Sequence, residues 1–419
     1  MVGPASKPGP VKLAAAPAPL PRREMALVGG VVLAISIGAF FRVPLLPSIG
    51  AELSLSPGQL GLITTIFAVG RLVTDIPAGR LADSAPPLRS LGIAGLILAV
   101  GSLGFAGART SSLVLAAAFV LGIASSLANT TGMTWFSTAA TAARRGSSMA
   151  VFSAALLGGQ ALGPAVGGLV GGAAGWRAAL ASAAGLGGAV FLLGLASKRL
   201  GVQASGVGGH HGRRGGGPDT TPWLQRWLLY GVSFSVMFVL GAMPQTVIPI
   251  IGDDRYTLTA ATIGLALGLG GACRFVGALT GGRIADRVSR RAALLPGMAL
   301  CTVGVALLAV DLGVTGWVLS IVLLSLGSYG VTVSATMLAD HARGAGVGRR
   351  LGTYRFVGDV GLIAGPAMAG LLYERVSART AVLAVTAIVG VVTVLCTALL
   401  HETRFLDDHA AGTTRPEAT

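Results

Sequence analysis

Charge is what this chain has least of. Only 11% of its 419 residues are Asp, Glu, Lys or Arg, less than half the ~25% usual in soluble domains. Acidic residues are scarcer still, 16 against 31 Lys and Arg. With 53% hydrophobic residues and a mean hydropathy of +0.76, this excludes a soluble globular enzyme and a disordered chain. Aromatics are 5% of the chain, too few for the stacked rings a sugar site usually wants. The three cysteines, Cys273, Cys301 and Cys396, lie in apolar stretches with no His or second Cys at ligand spacing. They read as small buried hydrophobes, neither a disulfide framework nor a metal site. No Gly-x-x-x-x-Gly-Lys-Ser/Thr loop occurs, so the chain does not itself hydrolyse nucleotide. Metalloprotease and serine-hydrolase motifs are missing too. An enzyme, a resident cofactor and a bound metal are therefore not expected.

What the chain does have is apolar runs. Each is about the ~20 residues a helix needs to cross a bilayer. They fall at 25–49, 60–82, 89–108, 112–137, 148–172, 177–197, 226–250, 260–284, 292–311, 315–338, 351–373 and 379–400. The fold class is thus an all-α polytopic membrane protein of twelve helices. The formal charge of +15 is a matter of topology rather than nucleic-acid binding. With the N-terminus inside, 23 of the 31 basic residues fall in cytoplasmic segments, five outside (Arg109, Arg177, Arg255, Arg375, Arg379) and three within spans (Arg42, Arg71, Arg274). That asymmetry places both termini in the cytoplasm. The high Ala, Gly and Arg content suggests a bacterial inner membrane. The chain divides into a tail (1–24), a six-helix bundle (25–197), a cytoplasmic linker (198–225), a second bundle (226–400) and a tail (401–419). Glycines 208, 209, 212 and 215–217 make the linker flexible, and His210 and His211 within it are not read as a metal site.

The two bundles repeat one another. Gly61-Leu62, Arg71 and Gly79-Arg80-Leu81-Ala82-Asp83 recur as Gly264-Leu265, Arg274 and Gly282-Arg283-Ile284-Ala285-Asp286, each 203 residues on. Phe152, Gly159, Gly163-Pro164 and Gly168 recur as Tyr354, Gly361, Gly365-Pro366 and Gly370, each 202 residues on. Two independent segments at nearly one offset point to duplication of a six-helix unit. Proteins built of two parallel six-helix halves bind substrate near the bilayer midplane, where the halves meet.

Gly79–Asp83 and Gly282–Arg291 resemble the signature loop of the major facilitator superfamily. Gly159, Gly163, Pro164, Gly167 and Gly168 resemble the fifth-helix motif associated with that family's antiporters. Two departures stand out. The first loop runs Asp83-Ser84-Ala85-Pro86-Pro87-Leu88-Arg89, without the usual basic residue and Gly after the Asp. The fourth span has Ala118 four residues before Gly122, where family antiporters commonly carry an Arg tied to proton transfer. The resemblance implies a twelve-span transporter similar to the drug:proton antiporters. It also implies a conformational clasp: Asp83 against the start of the eleventh helix, near Arg349, Arg350 and Arg355, and Asp286 against Arg145. Gly79, Gly282 and Arg287 belong to the same motifs. The small-residue face of Gly159, Gly163 and Gly167, with a kink at Pro164, would make a pliable seam between the fifth and eighth helices.

Ionisable residues within spans are costly and are functional candidates by default. Arg71 and Asp75 share a helix face one turn apart, as an ion pair or as a proton-coupling site. Arg274 and Asp359 complete the intramembrane set, whereas Arg42, near a helix end, suits snorkelling. Mid-depth polar and aromatic residues are candidates for a substrate cavity: Phe41, Asn129, Gln160, Tyr230, Phe234, Gln245 and Tyr329. The sequence therefore suggests a secondary active transporter that exports hydrophobic small molecules in exchange for protons, by alternating access. The alternative is an importer or facilitator of a small metabolite such as an organic anion. The expected partners are a small-molecule substrate, protons and the lipid bilayer, with no nucleic acid and a monomeric protein.

Overall fold

A computed structural model describes residues 22–139, 145–197, 222–341 and 347–402. Most of the linker, the outer parts of both tails and the Arg145 and Arg349 side chains lie outside the described residues, as do His210 and His211. Among the described residues every regular element is helical.

Short polar signals start the helices. Ser56 begins the second span, Pro57–Ser84, with a capping box: its Oγ accepts from Gln59 N, and Gln59 Oε1 accepts from Ser56 N. Thr110, Thr259, Ser289 and Ser377 cap the fourth (Ser111–Thr138), eighth (Ala260–Arg287), ninth (Arg290–Leu307) and twelfth (Ala378–Leu399) spans with the hydroxyl alone, each accepting from the N–H three residues on. Each hydroxyl satisfies an N–H that the helix itself cannot. The third span is Pro87–Ala106 and the eleventh Val347–Arg375.

Eleven described helical segments are long and apolar enough to cross a membrane. One of them, Arg145–Leu195, has 51 residues. Left straight it would run ~75 Å, more than twice the hydrocarbon core. It breaks at Gly175, where φ is 83° and ψ 160°, a conformation open essentially only to glycine. The chain reverses there: Arg177 reaches the Ala106 carbonyl at the end of the third span, and Gly194 packs on Gly92 near that span's start. The segment therefore counts as the fifth and sixth spans, and the crossings number twelve.

Three spans are interrupted. The first passes from Arg22–Phe40 through a 3-10 turn at Val43–Leu45 into Leu46–Leu53. The seventh passes from Trp223–Ala242 through a π turn at Met243–Val247 into Ile248–Asp254. Prolines 44, 47, 244 and 249 lie in or beside these turns and remove backbone donors there. The tenth divides into Gly313–Gly327 and Gly330–His341. Large apolar side chains face outward: Ile76, Leu192 and Val394 are 72%, 64% and 66% exposed. Such a belt suits lipid and not water. The protein is a multi-pass membrane protein.

The two halves meet along two seams. The fifth span packs on the first and the eighth, and the eleventh on the seventh and the second. A methyl group on Gly168 would strike the Ala260 carbonyl and come within 2.9 Å of Gly264 Cα. One on Gly370 would come within 2.8 Å of the Pro57 carbonyl and 3.1 Å of Gly61 Cα. The 202–203-residue repeat is thus also a repeat in space. The antiporter-like motif divides its work differently from the sequence expectation. Gly159, Gly163 and Gly167 lie against the first span, at Leu33, Ile37 and Phe41. The eighth span is met by an adjacent face, from Ala161 through Pro164 and Ala165 to Gly168 and Gly172. A stripe at i, i+4 and i+8 identifies a bare face but not the helix that fills it.

Candidate functional site

Between the halves lies a cavity of about 280 Å³. Its polar lining comes from Arg71, Asn129, Gln160, Gln245, Arg274, Arg355 and Asp359; its apolar lining includes Phe40, Leu156, Leu157, Met237, Leu267 and Ile321. Pro244 and Gln245, in the π turn of the seventh span, form part of the wall. One turn that departs from regular helix thereby supplies a polar group at mid-depth.

The two ends of the cavity differ. Toward the face opposite the linker, five hydrogen bonds join the halves. Arg42 Nη2 donates to Gln245 Oε1 at 3.4 Å, Thr64 Oγ1 to the Gln245 carbonyl at 3.0 Å, and Thr65 Oγ1 to the Ile363 carbonyl at 3.0 Å. Ser56 Oγ and Gly58 N both donate to Glu374 Oε2, at 2.7 and 3.0 Å. Glu374 thus places a carboxylate on the N-terminus of the second span, where the helix dipole favours it. Toward the linker face, Arg355 Nη1 of the second half donates weakly to Met133 Sδ of the first at 3.8 Å. Gly79, Gly146, Gly282 and Gly352, near the linker-side ends of four spans, have no neighbour within 4 Å of an added Cβ. Among the described residues, the hydrogen bonds between the halves gather at the far end of the cavity, and few lie toward the linker end.

Of the intramembrane charges, Arg71, Arg274 and Asp359 line the cavity. Arg274 Nη1 donates to Gln160 Oε1 at 3.0 Å. Arg71 feels the charges of Arg42, Arg274 and Asp359, and Asp359 those of Arg71, Asp75 and Arg355. Arg71 Nε is buried with no hydrogen-bond partner. Asp75 is not part of the cavity wall: its carboxylate accepts from Ser126 Oγ on the fourth span, and no described ion pair joins it to Arg71. Helix spacing brought the two one turn apart, but the hydroxyl across the interface captured the carboxylate. Arg42 does not snorkel. It is 0% exposed, with Nη1 donating to Thr64 Oγ1 at 3.4 Å and the guanidinium carbon 4.2 Å from the centre of the Phe67 ring. Desolvated contacts of that kind are worth ~2 kcal/mol.

Among the cavity candidates, Asn129, Gln160 and Gln245 line it. Four do not. Phe41 is buried against Gly167, and its neighbour Phe40 takes the cavity position. Tyr230 is buried beside Trp227, and Phe234 stacks near Phe238 on the eleventh-span side. Tyr329 fills the space left by Gly281 and Gly297, its hydroxyl donating to the Ala293 carbonyl at 2.9 Å. All four were judged by depth, and depth does not give rotation about the helix axis.

Two of the expected clasp partners, Arg145 and Arg349, have side chains outside the described residues. Asp83 is exposed and enters no described ion pair. Asp286 pairs with Arg290, one turn on, at 2.5 Å, and Arg290 Nε reaches Asp340 at 3.2 Å. Arg287 and Arg350 each make a contact of their own, and Arg355 faces the cavity. Sequence reasoning missed Glu374, Thr64 and Thr65 at the far end. An acid at a span terminus, or a Thr within a span, looks the same whether or not the opposite half offers a partner.

Comparison with known proteins agrees with this architecture. The sequence profile of the Major Facilitator Superfamily matches residues 27–251 and 227–418. The class G tetracycline resistance protein of Vibrio anguillarum is 28% identical over 380 residues, covering 84% of this chain and 91% of that protein. A bacterial homologue of the human lysosomal transporter Spinster, inward-facing and occupied, superimposes with a TM-score of 0.72 at 14% identity, covering 89% of this chain and 96% of that one. An inward-facing bacterial homologue of the iron transporter ferroportin gives 0.68 at 16% identity, covering 91% and 99%. A nucleoside transporter gives 0.68 at 12%, covering 90% and 100%.

Proposed function

Because this chain belongs to the Major Facilitator Superfamily, a family of transporters, we propose that it exports hydrophobic small molecules across a bacterial inner membrane in exchange for protons. The observation that carries the reading is a cavity walled by both halves, with the hydrogen bonds between the halves gathered at one end among the described residues. Such a cavity becomes a carrier if the halves rock so that the seal passes from one end to the other. With the basic linker and tails inside, the linker end is cytoplasmic, and the reading is of an inward-facing conformation. The tetracycline resistance relative supports the outward direction.

Asp359 is the carboxylate best placed to exchange a proton. It lines the cavity, lacks a fixed partner among the described residues, and lies among Arg71, Arg355 and Asp75. Adding or removing its proton changes the charge balance of the second–eleventh wall. A chain of this kind needs no fixed ion pair there, since a carboxylate locked to one arginine could not cycle. Asp75 serves instead as a tether between the second and fourth spans.

The test is efflux from inverted vesicles under an imposed pH gradient. Wild-type transport should follow the gradient. Asp359→Asn should abolish that dependence while counterflow exchange of substrate persists. Undiminished gradient-driven efflux in Asp359→Asn would remove Asp359 from the mechanism. A second reading, carriage of an organic anion as an importer or facilitator, is favoured by Arg71 and Arg274, neither of which has an ion-pair partner among the described residues. Uptake of labelled anions into cells, lost in Arg274→Ala, distinguishes it.

A further inference from the structure

We infer that the transported molecule is an amphipathic organic anion, its acidic group bound at Arg274 and Gln160 and its apolar body laid against Leu156, Leu157, Leu267 and Ile321. The inference rests on the second reading above, that the cavity carries an anion, and is silent on the direction of transport. The cavity walls carry three arginines but one carboxylate, and the three cations are not equivalent. On the second–eleventh wall, Arg71 and Arg355 share Asp359, with Asp75 adding a second negative charge from behind. On the opposite wall Arg274 meets only the neutral Gln160 oxygen, at 3.0 Å. Among the described residues no carboxylate forms an ion pair with it, and the charge it feels is another cation, Arg71.

Arg274 is half-buried in the cavity wall, and a cation at membrane depth without a counter-ion is costly. A ligand anion would supply what the protein does not. The donor geometry agrees. Gln160 uses its oxygen to accept from Arg274, so its amide NH₂ remains a donor beside the guanidinium. Together they offer donors only, which suits a carboxylate or sulfonate and opposes an ammonium. Gly270 and Gly271, one turn away, line the cavity, and their lack of side chains lets Ile321 and Ala161 pack close beside it. The hydrophobic residues named above come from the fifth, eighth and tenth spans around it.

The test uses the purified full-length protein and fused-ring aromatic carboxylates, each paired with its methyl ester, with binding read by thermal shift and calorimetry. Wild type should bind the acids about tenfold to a hundredfold tighter than the esters, the range set by a hydrogen bond to a charged group. Arg274→Gln should erase that preference while still binding the esters, which also shows that the variant is folded. Arg274→Lys should keep a reduced preference. Laurate and its methyl ester, run alongside, separate a lipid-derived anion from a compact aromatic one; acid preference in either pair supports the inference. Esters binding as well as acids, or an acid preference that survives Arg274→Gln, would overturn it. If neither acids nor esters bind, the inferred substrate class is overturned, while the transport reading is decided separately by the Asp359→Asn efflux test.

Discussion

The two seams that join the halves share a backbone and differ in chemistry. In each, glycines at repeat-related positions let two helices touch: Gly168 on Gly264, and Gly370 on Gly61. Beyond that contact they part. The second–eleventh seam ends in a carboxylate latch, Glu374 on Ser56 and Gly58, where the fifth–eighth seam has only Gly172 against Ala261. At mid-depth the first seam carries Arg71, Asp359 and Arg355, and the second carries Arg274 with Gln160. Duplication preserved the contact that must fit closely in both halves. Divergence then gave one seam the carboxylate of Asp359 and left the other a cation with no ion-pair partner among the described residues.

The largest effect should come from breaking what the seams share. Gly264→Val and Gly61→Val each drive a side chain into a facing backbone, at the Pro164 and Pro366 carbonyls respectively. Overpacking of this sort costs about 1–3 kcal/mol even where a core can yield. Both variants should reach the membrane yet lose transport, measured as efflux per amount of protein. Loss in one seam only would show that the repeat is no longer functionally symmetric.

A smaller effect should separate the seams. Glu374→Gln removes a charge at a helix N-terminus in a partly exposed site, worth about 1 kcal/mol, or about a fivefold shift in the balance of states. Labelling of a cysteine placed at Thr65 by a membrane-impermeant reagent from the far side should rise accordingly. Gly172→Ala, in the corresponding position of the other seam, should leave that labelling unchanged. The smallest effect belongs to Gly79→Ala and Gly282→Ala. Both glycines face open space in this conformation, so thermal stability should stay within experimental error. Slowed transport despite normal stability would show that these glycines are needed where the linker-side ends close.

Much of the fold is legible in the sequence because membranes impose simple rules. Span length, the Arg and Lys distribution and the offset repeat lead to twelve crossings in two related halves. Arg274, Arg71 and Asp359 are legible as well, since a charge within a span attracts notice wherever it points. Rotation about the helix axis is not legible. Phe40 and Phe41 are adjacent, about 100° apart on a helix, and only Phe40 faces the cavity. Asp75 appeared bound to Arg71 because spacing within one helix is visible, while Ser126 on another helix is not. Glu374 was invisible for the same reason: its partners lie more than 300 residues away.

The account stands on the claim that the seal passes from one end of the cavity to the other. Spin labels at Ser84 and Gly352 report the separation of the halves at the linker end, and labels at Ala51 and Arg255 report it at the far end. Distance distributions from paired-electron resonance, recorded in lipid nanodiscs across pH and with substrate, measure both. The expected result is opposed motion: conditions that shorten the Ser84–Gly352 distance lengthen the Ala51–Arg255 distance. Two distances that rise and fall together, or a far end that stays closed under every condition, would contradict alternating access in this protein.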